Sequence, residues 1–239
     1  PTAIKALRRI HIILRDGESM GYSARPNEAE AAKRILGQVL HRPTPIAATP
    51  WQDVPALYAR LGDSASADCL RFIILTVMRT HACAGARFDE IKDGVWTVPA
   101  DRMKATVATA ADFRVPLSQT AIEIVERRQP FSQGGLIFET APGRGPSTTA
   151  LEQRLNSLNE AGRPHGFRTS FRTWVQDTDA CGWDVSETAL GHAIGKAVER
   201  SYARSDLLDR RRVAMNAWAA FVTGAQSNIV QMTNPKGKG

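Results

Sequence analysis

Tyrosine and cysteine are both scarce in this chain, three residues each among 239. The three cysteines, Cys69, Cys83 and Cys181, show no Cys-x-x-Cys spacing and sit among apolar or small neighbours, which argues against a disulfide framework and against a zinc site. They are expected to be reduced, buried thiols. No apolar run approaches the roughly 18 residues that a membrane span needs, and the opening residues lack the pattern of a secretory signal. A cytoplasmic protein is the expectation, with no membrane partner. Acidic residues are in deficit, 24 against 31 Lys and Arg, for a formal net charge of +7. That balance favours an anionic partner such as nucleic acid, though it is silent on fold. No internal repeat is evident. The chain begins with Pro1 rather than Met, on a segment without the bulk of a domain, and is expected to be a piece of a longer polypeptide.

With 43% hydrophobic residues the chain can build a sizeable core. Ile4, Leu7, Ile10, Ile13 and Leu14 recur at helical spacing, as do Ala32, Ile35, Leu36, Val39 and Leu40, so two amphipathic helices are predicted. Pro43, Pro45 and Pro50 among small residues resist helix and place a linker at residues 43–50, between segments 1–42 and 51–239. The stretch Cys69 to Met78 is apolar almost all round, as in a helix buried on most sides, and Arg79 emerges at its end. Gly94 to Pro99 alternates like a short strand, Phe113 to Leu117 reads as its neighbour, and Leu136-Ile137-Phe138 reads as a third. Lys104 then falls in a connection between strands. Pro142 to Pro146 has the composition of a loop, and Thr149 with Glu152 suggests a capping box opening a helix through Leu158. Phe167, Phe171, Trp174 and Val175 share one helical face, Val185, Ala189 and Leu190 another. Leu207, Leu208, Val213, Trp218 and Phe221 predict a last amphipathic helix, and residues 234–239 read as disordered. The fold class is mainly α with a small antiparallel sheet.

Against this background six polar residues stand out in order: Arg79, Lys104, His165, Arg168, His192 and Tyr202. Singly they have ordinary explanations, a surface arginine near a helix end, a solvated lysine on a turn, a capping histidine, a packing tyrosine. Together they read as a clamp for a phosphodiester plus a nucleophile. A phosphodiester is a poor electrophile until the charge on its non-bridging oxygens is neutralised, and two arginine forks suit those oxygens. His165 and Arg168, three residues apart, share one face of a helix. Tyr202 lies between Glu199-Arg200-Ser201 and Ala203-Arg204-Ser205-Asp206, flanks that suit an exposed phenol.

The order of these residues, with Pro164-His165-Gly166-Phe167-Arg168, the following Thr169-Ser170-Phe171-Arg172-Thr173-Trp174, and Leu190-Gly191-His192, resembles the tyrosine recombinase family, and within it the integrases of prophages and genomic islands. The resemblance covers roughly Pro50 to Phe221. It implies the catalytic domain fold of that family over 51–239, with 1–42 as the C-terminal part of a core-binding domain that clamps DNA. It implies that Tyr202 attacks the scissile phosphate to form a 3′-phosphotyrosine, storing the bond energy so that rejoining needs no ATP, and that Lys104 protonates the leaving 5′-oxygen. The implied activity is site-specific integration or excision of a mobile element, without cofactor or metal. The implied partners are double-stranded DNA attachment sites, further copies of the chain in a synaptic tetramer, and accessory DNA-bending proteins, in a bacterial cytoplasm at the nucleoid. Two other readings stay open: a type IB topoisomerase, and a degenerate remnant that binds DNA without cleaving it. The family usually carries Glu or Asp three residues after its first arginine, where this chain has Ala82. Unless Asp89 or Glu90 substitutes, Arg79 should be less ordered and Ala82→Glu should raise cleavage.

Overall fold

The apolar stretch that follows Ser64 sets the architecture. Ser64 caps a helix by accepting a hydrogen bond from the Ala67 amide at 3.1 Å, and of the residues from Ala67 to Met78 only Arg71 is not buried. A helix apolar on nearly every side has to be surrounded, and in this computed structural model five other helices surround it. The structure describes residues 2–22, 24–37, 45–103, 111–192 and 205–225. The chain divides into two compact units, Pro1–Pro45 and Ile46–Gly239.

The first unit holds α1 (Thr2–Ser19) and α2 (Pro26–Leu36), which pack on each other. Proline opens α2, where its missing N–H costs nothing. Both amphipathic helices predicted from periodicity are present, with Val39 and Leu40 of the second prediction outside the described residues, yet α1 buries no residue and α2 only Ala29.

The second unit contains α3 (Val54–Arg60), α4 (Ala65–Thr76), α5 (Thr80–Ala84), α6 (Gln119–Arg128), α7 (Thr148–Ser157), α8 (Phe167–Thr178), α9 (Trp183–Ala189) and α10 (Leu208–Thr223). The strands β1 (Ile91–Lys92), β2 (Val95–Val98) and β3 (Phe113–Pro116) form one antiparallel sheet in the order β1-β2-β3. The central helix α4 touches α5, α6, α7, α8 and α10. Helix α10 closes the core: Trp218 is fully buried, donates its indole N–H to Ile74 O at 2.8 Å, and joins Phe171, Trp174 and Phe221 in one aromatic cluster. A side chain of this size buries about 150–250 Å², which at about 25 cal/mol per Å² is an upper bound of about 4–6 kcal/mol. Val213, grouped with the core residues of this helix from the sequence, is 71% exposed.

Two predicted elements differ. The third strand is Ile91–Lys92, not Leu136–Phe138; Leu136 makes only an isolated bridge to Arg87. The cap of α7 is Ser147, whose hydroxyl accepts from Ala150 N at 3.1 Å, so the helix starts before the Thr149–Glu152 box. Cys69 and Cys83 are free and buried, and burial pushes the Cys83 thiol up to about 12. Cys181 is only half-buried, correcting the expectation of three buried thiols. The tail from 226 lies outside the described residues.

Candidate functional site

The end of α4 does not run on into α5. Val77 stops the helix in the left-handed region at φ 50°, a conformation that a β-branched residue adopts at a cost of about 1–3 kcal/mol. It persists because its side chain is fully buried and its carbonyl is engaged from across the fold. The chain then turns through Arg79, which caps α5 with extended backbone and accepts the amides of Ala82 and Cys83 on its carbonyl. The arginine side chain is thereby left half-buried beside a cavity rather than inside a helix.

Arg168 reaches the same cavity from the first turn of α8. It is 94% buried, and it is held by Nη1 donating to Val77 O at 2.7 Å and Nη2 donating to Leu190 O at 2.6 Å. A cation in a first helical turn faces an unfavourable dipole, so these carbonyls are what hold it there. Burial first, then the adjacent Arg79 charge, pushes its guanidinium down to about 10, still far enough up to stay charged at neutral pH. Burial likewise lowers Arg79 from its ordinary value.

Gly166, between His165 and Arg168, is required by close approach: a Cβ there would collide with Ala47 O. The segment Ala47 to Thr49, at the end of the predicted linker, is bonded beneath this turn, Ala47 O accepting from Arg163 N at 2.9 Å and Thr49 donating to Glu160 at 3.1 Å. His165 itself sits exposed in the short turn Pro164–Gly166 at the mouth of the cavity.

His192 is placed by the end of α9. The amide of Gly191 bonds Thr188 O at 2.9 Å and the amide of His192 bonds Glu187 O at 3.0 Å, with Gly191 at φ 62°, the pattern of a Schellman stop. Gly191 also lies close to the clamp, since a Cβ on it would be 3.8 Å from Arg79 Nη1. The imidazole is then fixed from both sides, with Nδ1 2.8 Å from Glu187 Oε2 and Nε2 3.0 Å from Arg168 Nη2. A guanidinium only donates. Nε2 therefore presents its lone pair, and Nδ1 carries a proton donated to Glu187. The other Glu187 oxygen lies 2.9 Å from Arg172 Nε, close enough for an ion pair but without hydrogen-bond alignment.

Four of the six residues singled out from the sequence, Arg79, His165, Arg168 and His192, thus line one open cavity of about 430 Å³. Thr80, His81 and Thr148 complete the described lining, and no acidic side chain is among them. Lys104 and Tyr202 lie outside the described residues. Sequence reasoning missed four contributors. His81 and Thr80 follow Arg79 directly, Thr148 opens α7, and Glu187 orients His192 from five residues upstream; that spacing beside a helix-ending Leu-Gly-His was the one signal available. Among the described residues no group of three or more His, Cys, Asp or Glu is placed to hold a metal ion.

The carboxylate question at Ala82 also has an answer. Asp89 pairs with Arg87 at 3.3 Å, while Glu90 accepts from Arg87 N, Trp96 Nε1 and Arg102. Neither serves Arg79, whose guanidinium makes no hydrogen bond or ion pair with another described residue. Ala82 is fully buried in the apolar core. A glutamate there must displace packed side chains and desolvate its charge, so the expected gain in cleavage gives way to an expected loss of stability. Overpacking of about 1–3 kcal/mol should lower the thermal midpoint of Ala82→Glu by roughly 2–12 °C. An unchanged midpoint in a calorimetric scan would show that the core accepts the carboxylate.

No family model matches the chain. It is 36% identical over 180 residues, 72% of its length, to the prophage integrase IntA of Escherichia coli (strain K12), and covers 42% of that relative. The chain spans less than half the length of that curated relative. Among solved structures, the lambda integrase dimer of residues 75–356 bound to a COC′ core site matches with a TM-score of 0.51 at 13% identity, over 79% of each chain. A further lambda integrase dimer bound to a COC′ core site matches with a TM-score of 0.50 at 13% identity, over 84% of this chain and 64% of that one. The identity to a prophage integrase agrees with the order of the polar residues, and the chain is thus similar to the prophage integrases in sequence and to lambda integrase in fold.

Proposed function

We propose that this chain cleaves and rejoins double-stranded DNA at attachment sites through a 3′-phosphotyrosine, as the catalytic part of an integrase that inserts or excises a mobile element. The observation that carries the reading is the cavity: Arg79 and Arg168 face it together with His165 and His192, and no acid is in its lining. Two guanidiniums brought this close favour a bound anion, and a bridging phosphate relieves their repulsion.

Each residue then has a role. Arg79 and Arg168 neutralise the non-bridging oxygens, most strongly as charge builds on them in the transition state. His192, its Nδ1–H on Glu187, steadies Arg168 through Nε2, and His165 addresses the phosphate from the turn before α8. Tyr202, ten residues after His192, supplies the nucleophile, and Lys104 the proton for the departing 5′-oxygen. Residues 1–42 act as the end of a core-binding domain and 43–50 as a linker to the catalytic domain 51–239. Assembly into a synaptic tetramer, help from DNA-bending proteins, and a cytoplasmic, nucleoid-associated place belong to the same proposal. Its competitor, a remnant that binds without cleaving, draws on the absence of a carboxylate beside Arg79.

The test uses nicked duplexes with a randomised core, incubated with the full chain in excess chelator and recovered by attachment to denatured protein. The expected product is a 3′-phosphoryl link to protein with a free 5′-hydroxyl, because protein cations and not a metal supply the charge. Cleavage that needs Mg²⁺ and leaves no attached protein would overturn the reading.

A further inference from the structure

We infer that His81 is a positioning residue for the leaving-group proton donor, an inference that rests on the proposed cleavage chemistry. His81 stands two residues after Arg79 on α5, is exposed, and lines the cavity. Its Nε2 lies 2.7 Å from Arg102 O. A carbonyl only accepts, so Nε2 is the donor. Arg102 is two residues before Lys104, and its guanidinium donates to Gly85 O and to the Glu90 carboxylate. Main chain and side chain of Arg102 are therefore both fastened to the α5 region that follows Arg79.

The neighbouring bonds show what this fastening is for. Ala100 N donates to Asp112 Oδ1 at 3.0 Å, drawing together the two ends of the connection between β2 and β3. Arg102 N bonds Pro99 O and Met103 N bonds Ala100 O, both at 3.0 Å, fixing the turn as far as Met103. The Met103 methyl would lie 3.2 Å from a Cβ on Gly191, the residue that also approaches Arg79. The described path up to Lys104 is thus held residue by residue, and the His81 bond is the one that ties its main chain to the helix opened by Arg79.

In the cleavage step the Tyr202 oxygen bonds to phosphorus and its phenolic proton leaves to solvent. The bond from phosphorus to the 5′-oxygen breaks with its electron pair on that oxygen, which takes a proton from the Lys104 ammonium. Proton transfer needs the two heavy atoms within about 2.6–3.2 Å. A displacement of about 1 Å costs about 10²-fold. Releasing Arg102 O should therefore slow the proton transfer specifically, without weakening the hold on DNA.

The experiment compares wild type, His81→Ala, His81→Gln and Lys104→Ala on two versions of a duplex recovered as above. One has the natural 5′-oxygen at the scissile bond and the other a bridging sulfur, which departs as a thiolate without a proton. His81→Ala should cleave the oxygen substrate about 10–100-fold more slowly, bind DNA within about twofold of wild type, and cleave the sulfur substrate at the wild-type rate. His81→Gln, which keeps an N–H at the same reach, should recover most of the loss. An equal loss on both substrates would place His81 on the phosphate or the nucleophile, and no loss on either would remove it from the reaction; both outcomes overturn the proposal. Lys104→Ala separates the two layers: if sulfur fails to rescue it, the proton-donor assignment falls, whereas sulfur rescue of Lys104→Ala but not of His81→Ala defeats the His81 inference alone.

Discussion

Replacing Arg168 by glutamine is expected to slow single-turnover cleavage by about 10³-fold or more, the scale seen when a cation that meets developing phosphoryl charge is removed. The same change should also destabilise the domain. Arg168 is the partner of two carbonyls, Val77 O and Leu190 O, and of His192. A buried acceptor left without a donor costs about 1–3 kcal/mol, and Val77 would lose the contact that helps hold its left-handed backbone. Arg168→Lys separates the two effects. A lysine keeps the charge but concentrates it in one ammonium, which cannot serve two carbonyls and an imidazole in the geometry of a planar fork. It should recover part of the stability and little of the rate. Chemical denaturation beside single-turnover kinetics reads both, and a lysine variant with near wild-type cleavage would show that charge alone, without the fork, suffices.

Arg79 makes a contrasting case, because it has no bonded partner among the described residues while Arg168 has three. Arg168 is a piece of the architecture that also faces the cavity, whereas Arg79 is held mainly by the backbone of its cap.

How much of this was legible in the sequence depends on whether the signal was local. The buried helix α4 announced itself because a stretch apolar on all faces has one stable environment. The sheet was half legible. β2 and β3 alternate, but β1 is two residues long and is specified by its turn: Asp93 and Gly94, both at positive φ, make the two-residue hairpin loop that Asp-Gly favours. Leu136-Ile137-Phe138 misled because Ile137 and Phe138 are fully buried core residues, and burial without pairing looks the same as a short inner strand. The cap of α7 was misplaced by two residues for a simple reason: Ser147 and Thr149 are both competent caps, and only the backbone decides which hydroxyl meets a free amide.

The site was legible as a list and not as a machine. Arg79, His165, Arg168 and His192 could be picked out by type and order, and the fold brings all four to one cavity. What the order could not show is the hydrogen bonding that fixes them. Glu187 is an ordinary acid in the sequence, and becomes the partner of His192 only because the end of α9 folds His192 back over it. His81 belongs to no motif, and its contact with Arg102 spans 21 positions. Ala82 could be flagged as a departure from the family pattern, but its complete burial, which decides what a glutamate there would do, exists only in the packed core.

Tyr202 is expected to become covalently joined to DNA held by this cavity. Wild type and Tyr202→Phe are each mixed with a nicked duplex carrying the recovered site, denatured, and resolved by size with the DNA labelled on its 3′-phosphoryl side. The phenylalanine variant differs by one oxygen, so its affinity for the duplex should stay within about twofold of wild type. A covalent species is expected for wild type and none for Tyr202→Phe, and a labelled adduct formed by the phenylalanine variant would contradict attachment through Tyr202.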